Sequence, residues 1–155
     1  SGGGMYGAYS VGVLAGWTAA GTRPRFDVVT GVSTGALAAT YAYLGPEYDA
    51  TAAALFTGVS DRDIYRRRLR PAVLFADAAA SSEPLRRLID THVDDALLAA
   101  VARAHAAGRR LYVGTTNLDT RRLVVWDMGA IAAGGRADLY RAVLLASASV
   151  PGFLP

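Results

Sequence analysis

The sequence predicts an α/β fold in which parallel strands alternate with helices. This fold class is indicated by two glycine-rich turns, each of which is followed directly by a helix. The first is the loop Ser1–Gly7, followed by an apolar helix over Ala8–Ala20, and the second joins a buried strand over Phe26–Thr30 to a helix over Gly35–Leu44. In a parallel sheet both turns lie at the carboxyl edge of the strands. With 155 residues, 52% of them hydrophobic, the chain is long enough to bury one core.

The other elements follow from apolar periodicity and from residues that begin or end helices. Val11, Leu14, Ala15 and Thr18 recur at helical spacing in the first helix, which Gly21 ends. Downstream we predict a helix over Glu47–Thr57, an irregular arginine-rich segment over Ser60–Ala80, a helix capped by Ser82 and ending near Asp90, a helix from Asp94 or Asp95 to Ala107, strands over Arg110–Asn117 and Leu123–Asp127, and a helix over Ala137–Ala146.

Composition excludes several classes of function. The chain has no cysteine, which excludes disulfides, thiolate metal sites and cysteine nucleophiles. His92 and His105 are the only histidines, too few for a histidine-rich metal site, so we expect neither metal nor cofactor. The net charge of +3 is too small to indicate nucleic acid, and no apolar run is long enough for a membrane span. All basic residues are arginine, which is typical of a GC-rich bacterial genome.

Gly31-Val32-Ser33-Thr34-Gly35 is the stretch most typical of catalysis. Ser33 lies on a predicted strand-to-helix turn, a cramped conformation that needs small residues two before and two after it. Gly31 and Gly35 meet that need. Thr34 opens the helix, where a free amide stabilises a developing oxyanion. The sequence therefore predicts a nucleophile elbow with Ser33 as the nucleophile, although a plain connecting turn has the same composition.

The loop Ser1–Gly7 leaves amides free for a phosphate or an oxyanion. Gly2, Gly4 and Gly7 also match G-x-G-x-x-G, and Asp27 follows twenty residues after Gly7, so a dinucleotide-binding domain is an alternative. Two observations weaken it. Asp27 falls near the start of its strand instead of the end, and the next turn carries the serine elbow.

A serine hydroxyl needs a neighbouring base before it becomes a good nucleophile. His105 shares a helical face with Val101, which indicates a structural histidine, and His92 lies in a loop-like stretch. A conventional Ser-His-Asp triad is thus poorly supported. Asp119 and Asp127 are near strand ends, but each better suits a turn or a helix cap.

Three blocks in order resemble bacterial patatin-like phospholipases. They are Gly2-Gly3-Gly4 with Gly7, Gly31-Val32-Ser33-Thr34-Gly35, and Ala146-Ser147-Ala148-Ser149-Val150-Pro151. The resemblance implies a three-layer α/β/α fold with a mainly parallel central sheet. It also implies hydrolysis of phospholipids or other acyl-ester lipids by a Ser-Asp dyad without histidine. Ser33 matches the nucleophile, and the amides of Gly3, Gly4 and Met5 match the oxyanion hole.

Two departures stand out. Tyr6 occupies the position of the family's basic residue, and no Asp-Gly pair occurs for the dyad aspartate, so residues 1–155 are expected to be a fragment that lacks that aspartate and the start of the first strand. An inactive lipid- or partner-binding homologue is the second hypothesis. Arg66, Arg67, Arg68 and Arg70 permit transient contact with a membrane surface, although a solvated surface is the preferred interpretation of this cluster. Localisation stays open between peripheral membrane, secreted and cytoplasmic.

Overall fold

Helices and strands alternate along the chain in a computed structural model that describes residues 7–57, 66–67, 80–81 and 83–149. In chain order the elements are helix α1 (Gly7–Ala19), strand β1 (Val28–Val32), helix α2 (Thr34–Leu44), a 3₁₀ turn (Pro46–Tyr48), helix α3 (Asp49–Thr57), strands β2 (Arg66–Arg67) and β3 (Ala80–Ser81), helices α4 (Glu83–His92) and α5 (Asp95–Ala106), strands β4 (Arg110–Asn117) and β5 (Arg122–Asp127), and helices α6 (Met128–Ala133) and α7 (Ala137–Ala148).

The main sheet has the strand order β1-β4-β5. β1 runs parallel to β4, with Val28 opposite Arg110 and Val32 opposite Gly114. β4 and β5 form an antiparallel hairpin, and β2 pairs with β3 in a separate antiparallel pair. The predicted α/β fold class is confirmed, and the described part of the main sheet contains one parallel and one antiparallel pairing.

One face of the main sheet carries the core. Leu111 and Val113 point to this face and are fully buried, because α2 packs on β1 and β4 while α6 and α7 pack on β4. On the opposite face, Val28 and Val125 are each 59% exposed. The described residues therefore form a helical layer on one face of the sheet and leave the other face open.

Large aromatic side chains of α2 and α7 lie in the core. Tyr43 and Tyr140 are fully buried, and the Tyr140 hydroxyl lies 3.2 Å from the Thr40 hydroxyl. Burial disfavours the charged phenolate and raises the pKa of Tyr140 well above its ordinary value. This hydroxyl pair satisfies polar atoms inside the core and links the two helices that flank the carboxyl end of β1.

Arg23 fixes the position of α1. Its guanidinium forms a 2.6 Å ion pair with Asp49 at the start of α3 and donates a 3.3 Å hydrogen bond to the Ala42 carbonyl in α2. Thr18 in α1 donates to the same Asp49 carboxylate at 2.6 Å. The Arg23 side chain is only 2% exposed. One buried cation therefore joins α1, α2 and α3.

Arg109 fixes the approach to β1 in a similar way. It donates a 2.8 Å hydrogen bond to the Phe26 carbonyl, another to the Tyr43 carbonyl, and its guanidinium lies 4.5 Å from the centre of the Tyr43 ring. Burial lowers the pKa of Arg109, and the nearby charge of Arg25 lowers it further. The entry to β1 is thereby held against the carboxyl end of α2.

Several boundaries differ from those predicted. β1 covers Val28–Val32 instead of Phe26–Thr30, because its pairing with β4 begins where Arg110 donates to the Asp27 carbonyl. α7 continues two residues past Ala146, and the short α6 was not predicted. The predicted cap at Ser82 and most of Ser60–Ala80 lie outside the described residues.

The other predicted elements agree with the structure to within two residues. The buried face of α5 consists of Leu97, Leu98, Ala100 and Val101. None of the described helices has the length and apolar character needed to cross a lipid bilayer.

Replacing Arg23 with alanine is expected to lower the free energy of unfolding by about 3 kcal/mol, because it leaves the mostly buried Asp49 carboxylate without its cation. Urea denaturation measures the change. Arg87→Ala is the control, since Arg87 forms an ion pair with Glu83 while its own side chain is 73% exposed, and it should cost less than about 1 kcal/mol. Equal losses in the two variants would show that Arg23 does not anchor α1.

Candidate active site

Ser33 occupies the junction between β1 and α2 in a strained conformation. Its backbone angles are φ 58° and ψ −135°, a region that residues with a side chain rarely adopt. The strand ends at Val32 and the helix begins at Thr34, so a single residue makes the turn. The predicted strand-to-helix elbow is thus present, with Ser33 at its apex.

Gly31 permits this turn by letting α2 pass close to β1. A Cβ atom at Gly31 would lie 2.3 Å from the Gly35 carbonyl oxygen and 2.7 Å from the Ala36 Cα, both of them backbone atoms. Any side chain would push the first turn of α2 off the strand. Gly35 belongs to that first turn, so the two glycines of the motif face each other across the elbow.

The backbone of Ser33 is fully hydrogen-bonded, whereas its hydroxyl is not used as a helix cap. The Ser33 carbonyl accepts from the Ala36 amide at 2.8 Å, and the Ser33 amide donates to the Ser147 hydroxyl at 2.8 Å. No amide of α2 is capped by the Ser33 side chain. The hydroxyl is therefore not committed to holding the elbow together.

Ser147 links the elbow to the neighbouring strand. Its hydroxyl accepts from Ser33 and donates a 2.7 Å hydrogen bond to the Gly114 carbonyl of β4. This residue sits in the last turn of α7, so one hydroxyl joins β1, β4 and α7. In the sequence, the Ala146–Pro151 block was identified only by its resemblance to a family motif. No local pattern indicated that Ser147 forms a hydrogen bond with Ser33, 114 residues away.

The end of the glycine-rich loop meets the elbow. Gly7 is buried at the start of α1, and a Cβ there would lie 2.4 Å from the Thr34 Cγ2 and 2.6 Å from the Phe56 ring. The amino ends of α1 and α2 therefore adjoin each other beside Ser33. The predicted oxyanion-hole residues Gly3, Gly4 and Met5 precede Gly7 and lie outside the described residues.

Asp27 lies away from this junction. It precedes β1, whereas Gly7 packs against Thr34 just beyond the other end of the strand. The five residues of β1 span roughly 16 Å. A carboxylate at that distance is badly placed to meet the ribose of a nucleotide whose phosphates would bind the glycine-rich loop.

Asp127 caps a helix and does not reach Ser33. Its carboxylate accepts from the Ala130 amide at 2.9 Å, as its position at a strand end suggested. Asp127 pairs with Tyr112, which pairs with Thr30, so it is three residues short of Ser33 and two strands away. That separation is roughly 10 Å in each direction.

Asp119 lies beyond the carboxyl end of β4. Gly114 pairs with Val32, the residue before Ser33. Asn117, the last residue of β4, lies three residues, or roughly 10 Å, further along the strand. The Asn117 side chain accepts from the Thr120 amide at 2.9 Å and closes the turn that contains Asp119. Within the part of the chain that the structure describes, no carboxylate is hydrogen-bonded to Ser33.

Neither histidine adjoins the elbow. His105 Nδ1 lies 3.6 Å from Asp127, and the ring packs so closely on α6 that a Cβ at Gly129 would lie 2.5 Å from it. His92 ends α4. Among the described residues, no group of three histidine, aspartate or glutamate side chains is placed to hold a metal ion.

A family model described as patatin-like phospholipase matches residues 1–155, so the chain belongs to that family. Because the match spans every residue, it supports the resemblance found in the three sequence blocks. The family consists of hydrolases, and it indicates lipid acyl esters as the substrate class. Comparison with curated proteins and with solved structures gave no match.

Ser147→Ala should destabilise the protein by about 1 to 3 kcal/mol, because the Ser33 amide and the Gly114 carbonyl both lose a partner in a partly buried site. Thermal or urea unfolding measures this. Ser149→Ala is the matched control on the same helix end. Among the described residues the Ser149 hydroxyl bonds only to the Leu145 carbonyl, so its loss should cost under about 0.5 kcal/mol. If Ser147→Ala is as stable as the control, the hydroxyl does not brace the elbow.

Proposed function

Since the chain belongs to the patatin-like phospholipases, we propose that it is a lipid acyl hydrolase in which Ser33 is the nucleophile. The observation that carries this proposal is the Ser33 elbow, whose strained backbone is braced by Gly31 and Ser147 while its hydroxyl caps nothing. Strain of this kind persists where the surrounding structure requires it and is common at catalytic residues.

The reaction proceeds in two steps. The Ser33 Oγ attacks the carbonyl carbon of a carboxylic ester while a base takes its proton, and collapse of the tetrahedral intermediate breaks the bond to the alcohol oxygen, which leaves with that proton. An acyl-enzyme on Ser33 remains. Water then attacks the acyl carbon, its proton goes to the base, and the fatty acid leaves as Ser33 regains its proton.

The amides around the elbow supply the charge stabilisation. Thr34 opens α2, where amides have no acceptor within the helix, and we assign its N–H to the oxyanion hole together with those of Gly3, Gly4 and Met5. The packing of Gly7 on Thr34 supports this assignment, because chain connectivity keeps Met5 within about 8 Å of Gly7. The Ser33 amide is excluded as a donor, since it already bonds to Ser147.

We place the base on an aspartate outside residues 1–155. The family resemblance implies an Asp-Gly motif for the dyad, and the sequence contains no Asp-Gly pair. The strand register supports this placement, because Asp127 is level with Thr30 and two strands away from β1, and Asp119 follows the end of β4. The substrate is a phospholipid or another acyl-ester lipid, which the enzyme meets at a membrane or micelle surface.

A catalytically inactive lipid-binding homologue is the second candidate. This hypothesis is favoured because no carboxylate of the described residues is hydrogen-bonded to Ser33. The strained elbow favours the hydrolase hypothesis instead. The dinucleotide-binding alternative is weaker, because Asp27 and Gly7 lie at opposite ends of β1.

In the full-length protein, Ser33→Ala should abolish hydrolysis of p-nitrophenyl butyrate, with a loss of several orders of magnitude because the covalent step is removed. A fluorophosphonate should add to the wild-type protein and not to the variant, as measured by intact mass. The substitution removes one hydroxyl that caps nothing, so the unfolding midpoint should stay the same. Retention of half the activity would refute the assignment of Ser33.

Asp119→Asn and Asp127→Asn should each keep the esterase rate of the full-length protein within about twofold, because neither carboxylate reaches Ser33. Asparagine also caps helices as well as aspartate does, so α6 should remain intact in the second variant. A loss of 100-fold or more in either variant, with unchanged unfolding, would place the base inside residues 1–155 and contradict the external dyad aspartate.

A further inference from the structure

A cavity of about 520 Å³ adjoins the nucleophile elbow at the carboxyl edge of the sheet. Two of its lining residues, Val32 and Ser147, contact Ser33 directly, the first through the peptide bond and the second through its hydrogen bond. The volume lies within the roughly 300 to 1,000 Å³ of pockets that bind small organic ligands. This cavity is called the α7 groove below.

One wall of the α7 groove is a stripe along α7. Ala142, Leu145 and Ala146 line it at helical spacing, and the alanine side chains are exposed, so the stripe is apolar but shallow. The stripe begins next to Ser147 and leads away from the elbow toward the amino end of α7.

The β4–β5 hairpin forms the opposite wall, where Leu118 and Leu123 are 62% and 68% exposed. Gly114 keeps a furrow open between the walls, because a Cβ there would lie 3.1 Å from both Leu123 Cδ1 and Val32 Cγ2. Apolar side chains thus remain in water along a path that starts at the nucleophile.

The character of the path changes past Ala142. A second cavity of about 290 Å³ shares Arg86, Ala142 and Leu145 with the α7 groove, and its further lining adds the charged residues Asp90, Asp138 and Arg141. From Ser147 to Ala142 the helix rises about 7.5 Å, which is the length of roughly six methylene groups. An apolar chain longer than this meets charged side chains.

We propose that the α7 groove binds the acyl chain of the substrate and limits it to medium length, about six to eight carbons. This inference rests on the proposed function of Ser33. Covering the exposed side chains by an acyl chain is favourable, and each methylene removed from water strengthens binding roughly fourfold. Because the path runs along α7 away from Ser33, Ala146 and then Ala142, one helical turn further on, would contact successive parts of the acyl chain.

The test compares Ala146→Phe and Ala142→Phe in the full-length protein with p-nitrophenyl esters from acetate to dodecanoate. Both alanines are exposed, so the larger side chain fills the groove without entering the core. Ala99→Phe is the matched control, because Ala99 is an exposed alanine of α5 outside the groove. Each variant is scored by the ratio of kcat/KM for octanoate to that for acetate.

In Ala146→Phe this ratio should fall by about 50-fold or more, since at least three methylenes lose their site at roughly fourfold each. Ala142→Phe should spare butanoate and hexanoate and reduce octanoate and decanoate, one turn further along the chain. Ala99→Phe should keep the wild-type ratio. A wild-type optimum at dodecanoate, or ratios in both groove variants equal to that of Ala99→Phe, would overturn the proposal.

The acetate rate separates this failure from failure of the proposed function. Acetate hydrolysis and fluorophosphonate labelling of Ser33, combined with an unchanged chain-length profile, would refute the α7 groove alone. If the wild-type protein shows neither acetate hydrolysis nor fluorophosphonate labelling, the assignment of Ser33 as the nucleophile is refuted, and the proposal for the α7 groove is refuted with it. If Ala146→Phe unfolds, Ala142→Phe decides the outcome, because it lies a full turn from Ser147.

Discussion

The contact between Gly31 and the first turn of α2 is the constraint on which the site depends. The Gly35 carbonyl and the Ala36 Cα occupy the space that a side chain at residue 31 would need. Because residue 31 is glycine, the helix can begin after a single intervening residue beyond the strand. That single residue is Ser33, and its positive φ follows from the tight turn. Without the close approach, the chain would relax into a longer loop and the hydroxyl would lose its fixed position.

A second close approach brings the amino end of α1 to the same place. Gly7 packs on Thr34 and Phe56 with no room for a side chain, and the buried Arg23–Asp49 ion pair holds the far end of α1 against α2 and α3. Because both ends of α1 are fixed, its amino terminus stays beside that of α2. Two sets of helix-start amides thus converge on one edge of the sheet, which suits a site where negative charge develops.

The elbow was predictable from the sequence because it is local. Gly31, Ser33 and Gly35 lie within five residues, and the backbone constraint that relates them acts over the same distance. The cap formed by Asp127 was foreseen for the same reason. Ser147 was not, since its partner is 114 residues away and only the tertiary fold brings them together. The predicted start of β1 was two residues early, because pairing with β4 decides which residues become strand.

The hydrogen bond from the Ser147 hydroxyl to the Gly114 carbonyl connects the brace of the Ser33 elbow to the floor of the α7 groove. Gly114 pairs with Val32 in the sheet, so the residue before Ser33 and the residue whose carbonyl accepts from Ser147 are neighbours in the ladder. A side chain added at Gly114 would press on Val32 and Leu123 and also move the carbonyl that holds Ser147. We therefore expect changes at Gly114 to alter the proposed chain binding and the elbow geometry together. Ala142 lies more than one turn from Ser147 on the same helix, so we expect substitutions at Ala142 to change the length of the proposed bound chain while the backbone around Ser33 stays in place.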